Sequence, residues 1–146
     1  MQYYSFEETV LNVNGVQING FSEGDDVIGG DRRVDAFTGS VGADGRMIVA
    51  KNADRSGLIE IKLQIGSASN TYLSGLFALQ EKGDVFAAVS VVFKNIVNSE
   101  LVVGTKGFIV KPAPLTRGTN PTEQTWQVVV EDYDAIFATL PEVAAG

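Results

Sequence analysis

Leu58-Ile59-Glu60-Ile61-Lys62-Leu63-Gln64-Ile65 alternates apolar and polar residues without a break. A period of two belongs to the β-strand, whose successive side chains point to opposite faces. Ile59, Ile61, Leu63 and Ile65 therefore share a face that should be buried. Glu60, Lys62 and Gln64 share one that should be wet or meet a partner.

The residues before this strand read as hairpins. Asn52 to Gly57 is a polar turn. Arg33 to Val41 and Arg46 to Lys51 form a hairpin around Gly42-Ala43-Asp44-Gly45, with Asp-Gly supplying the turn chemistry. Phe6 to Val13 and Val16 to Phe21 form an earlier one around Asn14-Gly15, both of which accept positive φ. Gly20 to Gly30 is rich in Gly and Asp and reads as a loop or a weakly specified strand.

After it, the spacing predicts one helix over about residues 70–82. Ser69 or Asn70 caps it, Leu73, Leu76, Phe77 and Gln80 mark its packed stripe, and Tyr72 and Leu79 widen that stripe. Gly83 suits its left-handed stop, and Gly75 inside it points to close packing on a sheet. Val85 to Lys94 is apolar at nearly every position, as in a strand covered on both faces. Leu101 to Lys111 is a strand region interrupted by Gly104 and Gly107 and ended by Pro112 and Pro114. Leu115 to Pro121 is a polar loop. Gln124 to Val130 alternates again, with Trp126, Val128 and Val130 on the inner face, Trp126 being read as core. The acidic tail after Glu131 fits a short helix or an extended arm. Many strands, one helix and no βαβ alternation predict a mainly β fold, a β-sandwich or barrel carrying one packed α-helix, in a single domain over 1–146.

Composition limits the chemistry. The 146 residues include no Cys and no His. That excludes disulfides, thiolate metal sites, thiol catalysis, a serine triad and a His-built metal centre. Net charge is −7, which repels nucleic-acid phosphates. No apolar run approaches the roughly 20 residues of a membrane span, and Met1 to Glu8 lacks the features of a signal peptide. The expectation is a soluble chain made in the cytoplasm. There is no phosphate loop or dinucleotide fingerprint. Glu23-Gly24-Asp25-Asp26, continuing to Asp31, lacks the offsets and closing carboxylate of a calcium loop and reads as a solvated acidic loop. No enzymatic role and no cofactor or metal is expected. Arg32 and Arg33 either neutralise neighbours such as Asp31 and Asp35 or make an intersubunit contact, since Arg suits fixed bidentate pairing.

From Gly42 onward the chain resembles phage tail-tube proteins. The likeness runs through Gly42-Ala43-Asp44-Gly45, Ser56-Gly57-Leu58-Ile59-Glu60-Ile61-Lys62-Leu63, Ser69-Asn70-Thr71-Tyr72-Leu73, the Phe86 to Phe93 strand, Lys111-Pro112-Ala113-Pro114 and Glu123-Gln124-Thr125-Trp126. Tyr4-Ser5-Phe6 also resembles the family's opening strand. The resemblance implies a ring-forming subunit, hexameric, whose stacked rings make the channel through which DNA passes without specific binding. It further implies a contractile tail, with sheath, tape-measure and baseplate proteins as partners, and a place in the virion. Glu7, Glu8, Asp25, Asp26, Asp35, Glu60 and Glu131 are the candidate lumen acids. Arg32, Arg33, Arg46 and Lys51 are the candidate intersubunit contacts. The hairpin over 33–51 and the Gly20 to Gly30 loop are candidates for reaching the adjacent ring. Alternatives are a related baseplate, tube-initiator or secretion-system ring protein, and a monomeric β-barrel binding module.

Overall fold

The computed structural model describes residues 9–22, 27–83, 89–95, 100–115, 117–119 and 122–137. In chain order these form β1 (Thr9–Val13), β2 (Val16–Gln17), β3 (Ile28–Arg32), β4 (Phe37–Val41), β5 (Met47–Lys51), β6 (Gly57–Gln64), α1 (Ala68–Glu81), β7 (Val89–Asn95), β8 (Glu100–Ile109) and β9 (Glu123–Ile136). The expected strand residues 6–8 and 85–88, the acidic residues 23–26, and the tail beyond 137 lie outside the described residues.

Seven strands form one antiparallel sheet in the order β2-β1-β7-β8-β9-β6-β3, while β4 and β5, among the described residues, pair only with each other. The mainly β fold with one helix is as the sequence predicts, but the sheet does not close into a barrel. Its order leaves β2 and β3 as edges among the described residues. Residues of β3 (Ile28, Gly30), β7 (Val91, Phe93) and β8 (Val102) nevertheless line one cleft. The sheet is thus bent across its own inner face, as in a sandwich.

That inner face carries the core. Leu11 and Val13 of β1, Ile59, Ile61 and Leu63 of β6, Val89 and Val91 of β7, and Trp126, Val128 and Val130 of β9 are buried together. The alternation of β6 is realised up to Leu63: Ile59, Ile61 and Leu63 are buried, whereas Leu58, Glu60 and Lys62 are half-buried on the other face. The strand ends at Gln64, so Ile65 falls in the following turn, half-buried instead of in the core. Asn14 and Gly15 both take positive φ in the first hairpin. The returning strand is only Val16–Gln17, shorter than expected, because Ile18 turns inward to become fully buried. Gly104 and Gly107 do not end β8. A Cβ at either would lie 2.8 Å from a methyl of Val130, so the glycines let β9 approach.

The helix starts earlier than the predicted 70–82 because its cap is Ser67, whose hydroxyl accepts from the Ser69 N–H at 3.2 Å. A tertiary tie selects this serine: its hydroxyl donates to the Asn19 carbonyl at 2.6 Å, and the Ser69 hydroxyl accepts from the Asn19 N–H at 3.0 Å. Leu73 and Leu76 are buried, but Leu79 is exposed and Gly75 faces open space, so the helix buries a narrower stripe than expected. Gly83 has positive φ beyond its end. Polar anchors complete the docking. Trp126 Nε1 donates to Asn70 Oδ1 at 2.9 Å, and the Tyr72 hydroxyl donates to the Val13 carbonyl at 3.0 Å. Burial raises the Tyr72 pKa. Gln80, placed in the packed stripe from its spacing, proves to be a backbone clamp. Its amide donates to the Ile109 carbonyl at 2.8 Å and accepts from the Ile109 N–H at 2.9 Å.

Ile109 is fully buried, so Gln80→Ala strands a buried donor and acceptor. The expected loss is about 1–3 kcal/mol, read as a lowered urea midpoint with an unchanged m-value. Gln80→Glu, which retains only the accepting half, should lose stability as well.

Candidate assembly surfaces

Chemistry-bearing clefts do not stand out; projecting and unpaired surfaces do. Among the described residues no group of three His, Cys, Asp or Glu side chains gathers to hold a metal ion. No helix is long and apolar enough to cross a membrane.

The first surface is the β4–β5 hairpin. Every residue from 37 to 54 is exposed. Its turn is held locally: the Gly42 N–H donates to the Arg46 carbonyl at 2.8 Å, and Asp44 Oδ1 accepts from the Arg46 N–H at 3.1 Å. Cross-strand register pairs Phe37 with Lys51, Gly39 with Val49, and Val41 with Met47. Cross-strand partners share a face. One face of the hairpin is therefore Phe37, Val41, Met47 and Val49, edged by Lys51, and the other is Thr38, Ser40, Ile48 and Ala50. Phe37 is 60% exposed, Met47 64% and Ile48 71%. Apolar side chains exposed together on one hairpin face make it a candidate interaction surface. The hairpin around Gly42-Ala43-Asp44-Gly45 is as the sequence predicts, with its strands at Phe37–Val41 and Met47–Lys51.

The second surface is the pair of sheet edges. β3 pairs with β6 from Ile28–Ile61 to Arg32–Gly57 and has no strand on its other side among the described residues. An open strand edge presents unpaired N–H and C=O groups that template pairing with another chain.

The third is the root of the hairpin, where β3 leaves the sheet and β6 begins. β8 and β9 both change phase nearby. Buried positions fall at Gly104 and Gly107 on β8 and at Val130 and Tyr133 on β9, three apart instead of two. Lys106, at φ 55°, lies at this step. The step turns Tyr133 inward, over two glycines: a Cβ at Gly57 would sit 2.5 Å from Tyr133 Cβ, and one at Gly30 would sit 2.8 Å from its hydroxyl. Burial raises the Tyr133 pKa, Asp31 adds to the rise, and Arg32 opposes it. The same step leaves Asp132 and Asp134 exposed. Arg55 Nε donates to Asp132 Oδ1 at 2.9 Å, and its terminal nitrogen lies 3.6 Å from Asp134 Oδ2. That hydrogen bond and charge raise the Arg55 pKa. Arg32 Nε donates to the Tyr133 carbonyl at 3.2 Å, and its terminal nitrogen lies 3.9 Å from Asp134 Oδ1.

The predicted residues are therefore distributed. Arg33, Arg46 and Lys51 are exposed on or beside the hairpin. Arg32 reaches β9 rather than Asp31 or Asp35. Glu60 lies on the outer face of β6, accepting from Gln127 Nε2 at 3.3 Å, with Lys62 at 3.9 Å. Asp35 and Glu131 are exposed. Glu7, Glu8, Asp25 and Asp26 lie outside the described residues. Arg55, Asp132 and Asp134 were not singled out from the sequence, because regular alternation through Val130 gives no sign of the phase step. β9 continues to Ile136, so the residues just after Glu131 are extended and not helical; the rest of the tail lies outside the described residues.

Comparison with known proteins places these surfaces in context. The family model described as bacteriophage PhiTE tail tube protein matches residues 1–138. No curated protein matches the chain. Among solved structures, the chain is similar to the tube-terminating cap of the anti-feeding prophage, with a TM-score of 0.62 at 10% identity, covering 94% of each chain. That likeness concerns the fold. Hcp1 from Flavobacterium johnsoniae aligns with a TM-score of 0.45 at 16% identity, over 87% of this chain and 93% of that one.

Because every residue of the hairpin is exposed, Met47→Asp combined with Val49→Asp should leave the isolated fold intact. Surface changes of this kind stay within roughly 0.5 kcal/mol. A thermal melt of the unassembled double variant should overlay that of the parent chain.

Proposed function

Since the chain belongs to the bacteriophage PhiTE tail tube protein family, a family of structural tail-tube subunits, we propose that copies of it close into rings, hexameric in the simplest case, and that the rings stack into a hollow tube conducting DNA. The observation that carries this reading is the β4–β5 hairpin, a fully exposed arm with an apolar face beside an open β3 edge. Head-to-tail contacts of one surface on a different one are heterologous and must close by rotation. Edge and arm are two such unlike surfaces. The β3 edge pairs with the neighbouring copy within the ring, and the arm lays its apolar face on a copy in the next ring.

Charge supports copy-on-copy docking. From Arg33 to Lys51 the bases Arg33, Arg46 and Lys51 outnumber the acids Asp35 and Asp44, whereas the whole chain carries −7. A mildly basic arm is thus attracted to an acidic body. Arg33, Arg46 and Lys51 stand as the intersubunit contacts. The acidic excess has a second use if part of it lines the lumen, because phosphates passing there are repelled and release no counterions by binding. Asp35, Glu60 and Glu131, with Glu7, Glu8, Asp25 and Asp26, are the proposed lumen acids. The partners of the tube would be sheath, tape-measure and baseplate proteins of a contractile virion tail, with the chain made in the bacterial cytoplasm.

Negative-stain imaging of the purified chain, alone or with a tube initiator, should show tubes, and the Met47→Asp, Val49→Asp variant should form none. A chain that stays monomeric by light scattering at high concentration and under nucleating conditions overturns the reading. A reconstruction of the tube should show negative lumen potential; a basic lumen rejects the proposed role of the acids.

A further inference from the structure

The arm is exposed at every residue from 37 to 54, and both of its stems are tied to the Asp132–Asp134 segment of β9. The outgoing stem ends at Arg32, whose guanidinium meets the Tyr133 carbonyl at 3.2 Å and Asp134 at 3.9 Å. The returning stem passes through Arg55, whose guanidinium meets Asp132 at 2.9 Å and Asp134 at 3.6 Å. Arg55 also accepts the Tyr133 N–H on its carbonyl at 2.9 Å, and the Arg33 N–H joins the stems by donating to the Ser56 carbonyl at 3.0 Å. The charges alternate along the row Asp132, Arg55, Asp134, Arg32. Arg32 and Arg55 are partly buried, with side chains 27% and 42% exposed.

We infer that this ion-pair ladder is a positioning device, which holds the arm at the angle needed to reach a second copy of the chain and so controls assembly. Arg32, Arg55, Asp132 and Asp134 are its working residues, and none of them need touch the neighbour. A single exposed ion pair contributes little, but several charges joined in a network contribute more, and here Arg55 bridges Asp132 and Asp134 while Arg32 bridges the Tyr133 carbonyl and Asp134. A two-strand arm amplifies any change of angle at its root along its length. The ladder has the chemistry to do this because its charges lie on both stems and on the sheet. The Asx turns of the returning stem, Asn52 accepting from the Asp54 N–H and Asp54 from the Ser56 N–H, lie within one stem and cannot fix it to β9. Because the pairs are partly solvent-exposed, added salt should loosen the ladder before it loosens the core.

The assembly half of this inference rests on the reading of the chain as a self-assembling tube subunit; the positioning half does not. The absence of native cysteine allows both to be tested cleanly. Spin labels at Ser40→Cys on the arm and Ser74→Cys on α1 report the arm's direction in the unassembled chain, and circular dichroism confirms that each variant is folded. A narrow distance distribution is expected for the parent, broadening in Arg55→Gln and in Arg32→Gln. The same variants should raise the concentration needed for tube formation roughly tenfold, corresponding to 1.4 kcal/mol. The charge swap Arg55→Asp with Asp132→Arg should restore part of both. Unchanged distance distributions in folded variants overturn the positioning device. Broadened distributions with unchanged tube formation overturn its control of assembly. If the parent itself forms no tubes, the tube reading fails while the distance measurement still decides whether the ladder aims the arm.

Discussion

The phase step in β8 and β9 is the constraint on which the assembly surfaces depend. β9 pairs with β8 on one side and β6 on the other. Up to Val130 it feeds the core from alternate positions. Had the alternation continued, Asp132 and Asp134 would point into the core, where unpaired carboxylates are not tolerated. The step at Glu131–Asp132, opposite Thr105–Lys106, sends Tyr133 inward instead and both aspartates outward. Lys106 absorbs the distortion at φ 55°. A non-glycine residue at positive φ is uncommon and persists where its surroundings fix it. Here the strand pairs on either side fix it.

From that step the root of the arm follows. Tyr133 can lie across Gly57 and Gly30 only because both lack a Cβ, so one aromatic side chain locks the start of β6 to the middle of β3. The outward aspartates meet the guanidinium groups of the two stems. Sequence, backbone irregularity and charge pairing thus cooperate at one place, while the arm beyond it makes no use of the core. A chain that buries Leu11, Ile61, Leu63 and Val128 completely yet exposes Phe37, Met47, Ile48 and Val49 keeps its two apolar populations apart. The first folds the subunit, and the second is the surface that the proposed assembly would use.

How much of this the sequence reveals depends on the range of the interaction. Strictly periodic segments, β6 above all, declare both their conformation and their buried face, since local pleat geometry decides both. The hairpins at Asn14-Gly15 and Asp44-Gly45 are equally legible, because turn backbone angles select their residues. The helix boundary is not: Ser67, Ser69 and Asn70 are all acceptable caps, and hydrogen bonds to Asn19, far away in sequence, choose among them. Gln80 sits at the correct helical spacing for packing, but only the position of β8 shows that its amide replaces a strand partner for Ile109. The Arg32 and Arg55 pairings are illegible for the same reason, as their carboxylates come from the far end of the chain.

The β4–β5 hairpin is the most instructive case. It is read from the sequence by its turn and forms as read, yet its apolar residues Phe37, Val41, Met47, Ile48 and Val49 stay exposed in the single chain. Pairing in register from Phe37–Lys51 to Val41–Met47 gives the arm a definite shape before any partner arrives. A preformed arm loses less conformational freedom on docking than a disordered one would. On the proposed assembly each subunit would give one arm to the next ring and receive one from the ring behind, so that a modest contact per copy is repeated along the tube. The demand on each subunit would then be geometric accuracy at the root of its arm.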